Sequence, residues 1–86
     1  MKTTFKTNKM KDVFVIHGSE DGVIGVASNK KAAYRIANEY LSCDGYKINE
    51  SYSKMLQEFK TSYNVTLTRN GDWVTCRLSQ ELLHSK

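Results

Sequence analysis

The sequence has no proline, only two cysteines and no long apolar run, and the last two features exclude several classes of protein. Cys43 and Cys76 are too few for a disulfide-stapled scaffold or a structural zinc site. No stretch approaches the roughly 20 apolar residues that span a bilayer, and the N-terminal segment lacks the apolar core of a secretory signal. We therefore expect a soluble, cytoplasmic protein without metal or cofactor.

Acidic residues are absent from the first eleven positions, which hold four of the ten lysines. These four residues, the lysine arm, are Lys2, Lys6, Lys9 and Lys11. They account for the whole net charge of +4, because residues 12–86 hold nine basic and nine acidic side chains. The pattern predicts a flexible basic arm, residues 1–11, followed by a single domain, residues 12–86.

Two apolar runs at the start of this domain predict a hairpin. Residues 12–17 and 23–27 are rich in β-branched and aromatic side chains, and an acidic, glycine-flanked turn separates them. Both runs are apolar at nearly every position. This favours strands in the middle of the sheet, or strands covered on both faces.

The middle of the chain predicts two helices. The first covers residues 29–41, with Ser28 as the expected N-cap. The second runs from about residue 50 to 60, with Asn49 or Ser51 as its cap. Its apolar positions recur at helical spacing and are Tyr52, Met55, Leu56 and Phe59. Between the helices, residues 45–48 contribute at most one or two strand residues.

Asn70 and Gly71 separate two alternating runs, the strongest short-range signal of a two-residue hairpin turn. Such a turn pairs Thr68 with Trp73, and the residues after Ser79 then form a frayed final turn. Side chains alternate along each strand, so the hairpin has two unlike faces. The apolar face comprises Tyr63, Val65, Leu67, Val74, Cys76 and Leu78. The polar face comprises Asn64, Thr66, Thr68, Trp73, Thr75 and Arg77.

The resulting order is β-β-α-α-β-β, which predicts an α+β fold. Its economical packing is a four-stranded, mostly antiparallel sheet with two helices on one face. The other face is then open to water, and it carries a lone tryptophan among threonines and an arginine. Tryptophan and arginine are enriched among the residues that anchor interfaces.

Candidates for catalysis are weak. His17 precedes the acidic turn of Glu20 and Asp21 and has the residue chemistry of an acid–base group, but a histidine at the end of a strand is commonly structural. His84 lies in the predicted frayed turn, and Cys43 lies at a helix C-terminus, where the dipole disfavours a thiolate. No phosphate loop, zinc-protease, nucleophile-elbow or calcium-loop motif is present. We therefore predict no catalytic site and no enzymatic activity.

The function that these patterns favour is a non-enzymatic accessory or regulatory module that binds another protein. Its predicted partner-binding residues are Trp73, Arg77, Thr66, Thr68 and Thr75. Lysine outnumbers arginine ten to three, which is typical of small reading frames from AT-rich microbial or phage genomes. Products of such frames often inhibit or modulate a host protein by binding it. A homodimer is also expected if another chain covers the apolar first hairpin.

The alternative is a nucleic-acid-binding accessory protein. It would use the lysine arm, Lys2, Lys6, Lys9 and Lys11, together with Lys30 and Lys31 in the first turn of the first helix. Backbone N–H groups and lysines at a helix N-terminus suit a phosphate.

Overall fold

A computed structural model describes residues 10–84 of the chain, and the side chains of residues 12–81. The elements are β1 (Met10–Gly18), β2 (Gly22–Ala27), α1 (Lys30–Leu41), β3 (Lys47–Ile48), α2 (Tyr52–Phe59), β4 (Asn64–Asn70) and β5 (Thr75–His84). The strands form one antiparallel sheet in the order β2-β1-β5-β4-β3. The predicted α+β class is confirmed. The predicted four strands and their order are wrong, because β3 between the helices pairs with the end of β4 as a fifth strand.

The long central pair of the sheet is β1 with β5. These strands pair from Met10↔His84 to Gly18↔Cys76. The frayed turn expected after Ser79 is therefore wrong, because β1 supplies backbone partners for β5 as far as His84. Since β1 begins at Met10, Lys11 of the lysine arm lies within a strand. Lys2, Lys6 and Lys9 lie outside the described residues.

Asn29, not Ser28, caps α1. Its backbone is extended, and its Oδ1 accepts a hydrogen bond of 2.8 Å from the backbone N–H of Ala32. Ser51 caps α2 in the same way, with its Oγ accepting from the N–H of Lys54 at 3.2 Å. Each bond satisfies one of the N–H groups that lack a partner in the first turn of a helix.

Both helices pack on one face of the sheet and share one core. The ring of Phe14 in β1 meets the ring of Phe59 in α2 edge-on, with centroids 5.5 Å apart. The buried core residues are Phe14, Ile16, Ala27, Ala33, Ala37, Leu41, Met55, Phe59, Val65, Leu67, Val74, Cys76 and Leu78. Tyr63, expected in this core, is 70% exposed instead, because β4 begins one residue after it and the strand alternation does not reach it.

The β4–β5 hairpin has a longer loop than Asn70-Gly71 predicts. Thr68 pairs with Thr75 rather than with Trp73, so the register is shifted by two residues and residues 71–74 form the loop. A shift of two keeps the side chains of the paired strand residues on their predicted faces, whereas a shift of one would have exchanged the faces. The threonine-rich face and the apolar face of β4 and β5 are therefore preserved.

The first hairpin departs from the sequence pattern in its second strand. β1 lies inside the sheet as expected, but β2 forms the edge, and Val23 and Val26 are 59% and 61% exposed. The prediction that β2 is covered on both faces is therefore wrong for residues 10–84, which leave these two valines exposed. Within the same range, no helix is long and apolar enough to cross a membrane.

Candidate functional site

The open face of the sheet, opposite the helices, brings side chains from four strands into one row. His17 of β1 is paired with Arg77 of β5, and Arg77 is paired with Thr66 of β4. Val23 of β2 is paired with His17 and completes the row. The Cβ atoms of directly opposite residues lie about 4.5–5.5 Å apart, so the arginine stands between an imidazole and a hydroxyl.

An open groove of about 390 Å³ lies along this row. Its lining includes His17, Ser19, Thr66, Thr75 and Arg77. Three of the predicted partner-binding residues therefore meet at one groove. His17 also lines this groove, although the sequence pattern favoured a structural role for it. Sequence reasoning missed this position because the pairing of β1 with β5 joins residues 60 positions apart, and no local pattern reports it.

The groove is rich in hydrogen-bond donors. Arg77 is exposed and forms no ion pair with any side chain of residues 12–81. Two bonds fix one wall of the groove: the N–H of Ser19 donates to the carbonyl of Thr75 at 3.0 Å, and the N–H of Thr75 donates to Ser19 Oγ at 3.1 Å. A guanidinium flanked by an imidazole and hydroxyls is suited to bind a carboxylate or a phosphate.

Trp73 lies in the loop between β4 and β5, two residues before Thr75 in the groove. It is 83% exposed, so the exposure predicted from the sequence is confirmed, although the residue is in a loop and not in a strand. The next residue, Val74, is 5% exposed and belongs to the core. The tryptophan is therefore presented beside a residue that anchors the loop.

An ion pair holds this loop in shape. The Arg69 guanidinium donates from Nη2 and Nε to the Asp72 carboxylate at 2.9 and 3.0 Å. Asp72 Oδ1 also accepts from the N–H of Val74 at 3.1 Å. These bonds lower the pKa of Asp72, and the carboxylate raises the pKa of Arg69. The Tyr46 ring lies 4.2 Å from the Arg69 guanidinium and covers it.

Gly71 leaves room for this arrangement. Its φ is +113°, a conformation that side-chain-bearing residues rarely adopt, and a Cβ there would stand 2.9 Å from the Tyr46 ring. The loop is thus fixed by an ion pair, an aromatic cover and a glycine. The two-residue turn expected at Asn70 and Gly71 would have made Arg69 and Asp72 opposite strand residues, whereas in the structure their side chains close the loop.

Thr68 forms hydrogen bonds that connect β4 to the segment between β3 and α2. Its hydroxyl donates to Glu50 Oε2 at 2.8 Å and accepts from Asn49 Nδ2 at 2.9 Å. Its backbone N–H donates to Glu50 Oε1 at 2.7 Å. Of the five predicted partner-binding residues, Thr68 is therefore the one whose side-chain hydroxyl is already hydrogen-bonded within the described residues.

The two lysines of the alternative hypothesis border different hollows. Lys30 lies with Lys60 and Tyr63 at one hollow of about 290 Å³, and its Nζ is 5.9 Å from the centre of the Phe59 ring. Lys31 lies with Arg35 at another hollow of about 290 Å³, between α1 and α2. The N-terminal end of α1 is thus basic, but the lysines are not gathered into one groove.

The charges at the two ends of α1 oppose the helix dipole. Lys30 and Lys31 stand in its first turn, which has no acidic residue, and its last turn has no basic residue. Such placements each cost about 0.3–1 kcal/mol at an exposed helix end. Near the C-terminal end of α1, a hollow of about 380 Å³ is lined by four acidic residues, Glu20, Asp21, Glu39 and Asp44, and by Arg69, which is paired with Asp72. The domain therefore has one basic end and one acidic end.

The two cysteines are both free and lie in different environments, one exposed and one buried. Cys76 is fully buried, and burial raises the pKa of its thiol to about 12. Cys43 is exposed, and its Sγ is 3.6 Å from Arg69 Nη1 and 3.5 Å from the carbonyl of Tyr40. Among the residues that the structure describes, no group of three His, Cys, Asp or Glu side chains is placed to hold a metal ion.

Comparison with models of known protein families, with curated proteins and with solved structures finds no match to this chain.

Proposed function

We propose that this chain is a non-enzymatic accessory or regulatory module that docks a partner protein on its open sheet face, with Trp73 and Arg77 as anchors. The observation that carries this proposal is a tryptophan 83% exposed on a loop held by the Arg69–Asp72 ion pair. A tryptophan so exposed contributes little to the core. Tryptophan and arginine dominate the affinity of many interfaces, and a loop that is already ordered loses less entropy on binding.

The side chains of the groove support an acidic and apolar partner segment. His17, Thr66 and Arg77 supply donors that suit a carboxylate, whereas Trp73 supplies a broad apolar surface. Trp73 and Thr75 are two residues apart, so their Cα atoms are at most roughly 7 Å apart and one short segment can contact both regions. The partner surface that fits best carries an acidic side chain close to an aromatic or aliphatic one.

A second candidate function is nucleic-acid binding at the basic end of the domain. Tyr63 is 70% exposed beside Lys30 and Lys60, which gives an aromatic ring for base stacking next to two cations for phosphates. This arrangement supports the alternative less strongly. It offers a single ring, and Lys30 is partly engaged with the Phe59 ring.

Selection from a random library of displayed, tryptophan-free peptides against the folded protein tests the first proposal. We expect the selected peptides to pair an acidic residue with a large apolar one. Their binding should weaken at least tenfold, about 1.4 kcal/mol, for Trp73→Ala and for Arg77→Ala. Arg77→Lys keeps the charge but loses the planar pair of donors, so it should fall between the wild type and Arg77→Ala.

Tyr63→Ala is the matched control, because it removes an exposed aromatic ring from the other end of the domain. The selected peptides should bind this variant as they bind the wild type. Peptides that bind equally well to Trp73→Ala, or that lose binding on Tyr63→Ala, would contradict the proposed site.

A further inference from the structure

β2 is an edge strand that lacks the charged residues and prolines that commonly block strand addition, although it contains a β-bulge. Its six residues, Gly22–Ala27, include no charged side chain and no proline. No strand among residues 10–84 lies along its outer side. The opposite edge is different, because β3 has only two residues and one of them is Lys47. Of the two edge strands, β2 is therefore the longer one and the one without a charged side chain.

A β-bulge gives β2 two exposed valines on the same face. Val26 is paired with Val15, and Val23 is paired with His17, with a shift of register between the two pairs. The extra residue in β2 places both valines on the open face although they are three positions apart. They are 61% and 59% exposed. An uncharged edge strand thus carries an uncovered apolar strip.

A second copy of β2 fits this pattern when the two strands run antiparallel about a twofold axis between Ile24 and Gly25. In that register Val23 of each copy lies opposite Val26 of the other, which forms two valine pairs on the open face. Ile24 lies opposite Gly25 on the helix side, where Ile24 packs against the core and Gly25 lies against Ile36. Every pair joins residues of the same face, which a register one residue away would not achieve.

Charge complements the same arrangement. The acidic Glu20 and Asp21 precede β2, and the basic Lys30 and Lys31 follow it. Antiparallel pairing brings the acidic turn of one copy beside the start of α1 in the other, with Asp21 opposite residue 28. Lys30 and Lys31, two and three residues beyond residue 28, have side chains long enough to reach this turn. A parallel pairing would instead bring acid to acid and lysine to lysine, which is repulsive.

We infer that the protein forms a twofold dimer by antiparallel pairing of β2 with β2 of a second copy. The pairing joins two five-stranded sheets into one continuous sheet and places both open faces on the same side. It also accounts for the lysines that oppose the dipole of α1, because they meet the acidic turn of the other copy. A dimer of this form presents the groove twice, so a partner with two sites binds through both.

Sedimentation velocity from about 1 to 500 µM protein tests the dimer, since a single strand pair makes a small interface of modest affinity. The wild type should pass from monomer to dimer within this range. Val26→Lys should shift the dissociation constant at least tenfold, because it places two lysines in the shared apolar strip. Tyr63→Lys changes an exposed apolar residue outside β2 and should leave the equilibrium unchanged.

Charge reversal tests the orientation. Asp21→Lys and Lys31→Glu should each weaken the dimer by roughly tenfold, since each converts two exposed ion pairs into like-charge contacts. The combination Asp21→Lys with Lys31→Glu should restore the wild-type dissociation constant. Absence of this rescue would overturn the antiparallel arrangement.

A disulfide trap tests the register in a Cys43→Ser background. Directly opposite residues of an antiparallel pair have Cα atoms within disulfide range. An equimolar mixture of the Val23→Cys and Val26→Cys variants should therefore form a covalent heterodimer on mild oxidation, and either variant alone should not. A wild type that stays monomeric at 500 µM, or crosslinking of one variant with itself as efficient as in the mixture, would overturn the inference.

Discussion

Arg69 and Asp72 form a two-point ion pair across the end of the β4–β5 hairpin, with N–O distances of 2.9 and 3.0 Å. The pair is largely shielded, since the two side chains are 13% and 22% exposed. It closes a loop of residues 71–74 where an Asn-Gly pair alone favours a two-residue turn. The position of Trp73 therefore depends on a charge pair on its own hairpin.

Asp72→Asn should lower the melting temperature and loosen the loop, because the asparagine keeps the size of the side chain but loses the charge. Time-resolved fluorescence anisotropy of Trp73, the single tryptophan, should show faster local motion in this variant. Glu39→Gln is the matched control. It also neutralises an acid, but an exposed one outside the hairpin, and it should leave the anisotropy unchanged.

The same ion pair predicts a dependence of stability on pH. The Arg69 guanidinium lowers the pKa of Asp72 below its ordinary value of 3.8. Its contribution to stability is therefore fully present above pH 3.8 and is lost as the pH falls through the lower, folded-state pKa. Urea unfolding should show a constant difference between wild type and Asp72→Asn near neutral pH, shrinking below about pH 4. A difference that grows on acidification would contradict this role of the pair.

Trp73→Ala should change the free energy of unfolding by no more than about 0.5 kcal/mol, the usual range for an exposed side chain away from special structure. The emission maximum of wild-type Trp73 should accordingly shift little between the native and the urea-unfolded protein. Loss of several kcal/mol in the variant, or a large red shift on unfolding, would mean that the tryptophan is buried.

Asn29→Ala should destabilise the protein by about 1 kcal/mol, because the N–H of Ala32 loses its acceptor. For a domain of this size that corresponds to a fall of roughly 4–8 °C in melting temperature. Ser28→Ala is the neighbouring control and should have a much smaller effect. Equal losses in the two variants would place the start of α1 one residue earlier.

The two thiols should differ strongly in reactivity. A disulfide reagent at pH 8 should modify exposed Cys43 readily and reach Cys76 only when the protein unfolds. Folding keeps Cys76 protonated, since burial raises the pKa of its thiol from 9.0 to about 12. Its contribution to stability is present below pH 9 and is lost as the pH rises toward 12. Cys76→Ala should remove that part of the alkaline decline, and two fast-reacting thiols at pH 8 would contradict the buried position.

Local patterns were enough to predict the class of the fold and the faces of its C-terminal hairpin. The apolar spacing around Met55 and Phe59 indicated α2, and the alternation from Val65 to Leu78 separated core from open face. The short strand expected within residues 45–48 is β3, but its pairing with β4 as a fifth strand was not predicted, because two residues are too few to show a period. The extension of β5 to His84 was missed because it depends on β1, far away in the chain.

The sequence predicted only the part of the candidate site whose residues are close together in the chain. Trp73, Thr75 and Arg77 lie close together in sequence, so their common region of the surface follows from one hairpin. His17 comes from another hairpin, and only the pairing of β1 with β5 brings it to the groove. The hydrogen bonds from Thr68 to Glu50 were not predicted either, because they connect β4 to the segment just before α2, 18 residues earlier in the chain.

The fluorescence of Trp73 tests the central claim most directly. Wild-type protein is titrated with a selected tryptophan-free peptide and, separately, with single-stranded DNA, at low and at physiological salt. A saturable blue shift with the peptide that survives physiological salt, and that is absent for Arg77→Ala, is the result we predict. No response to any selected peptide, together with quenching by DNA that fades steeply as salt rises, would contradict a protein-binding face and favour nucleic acid at Trp73.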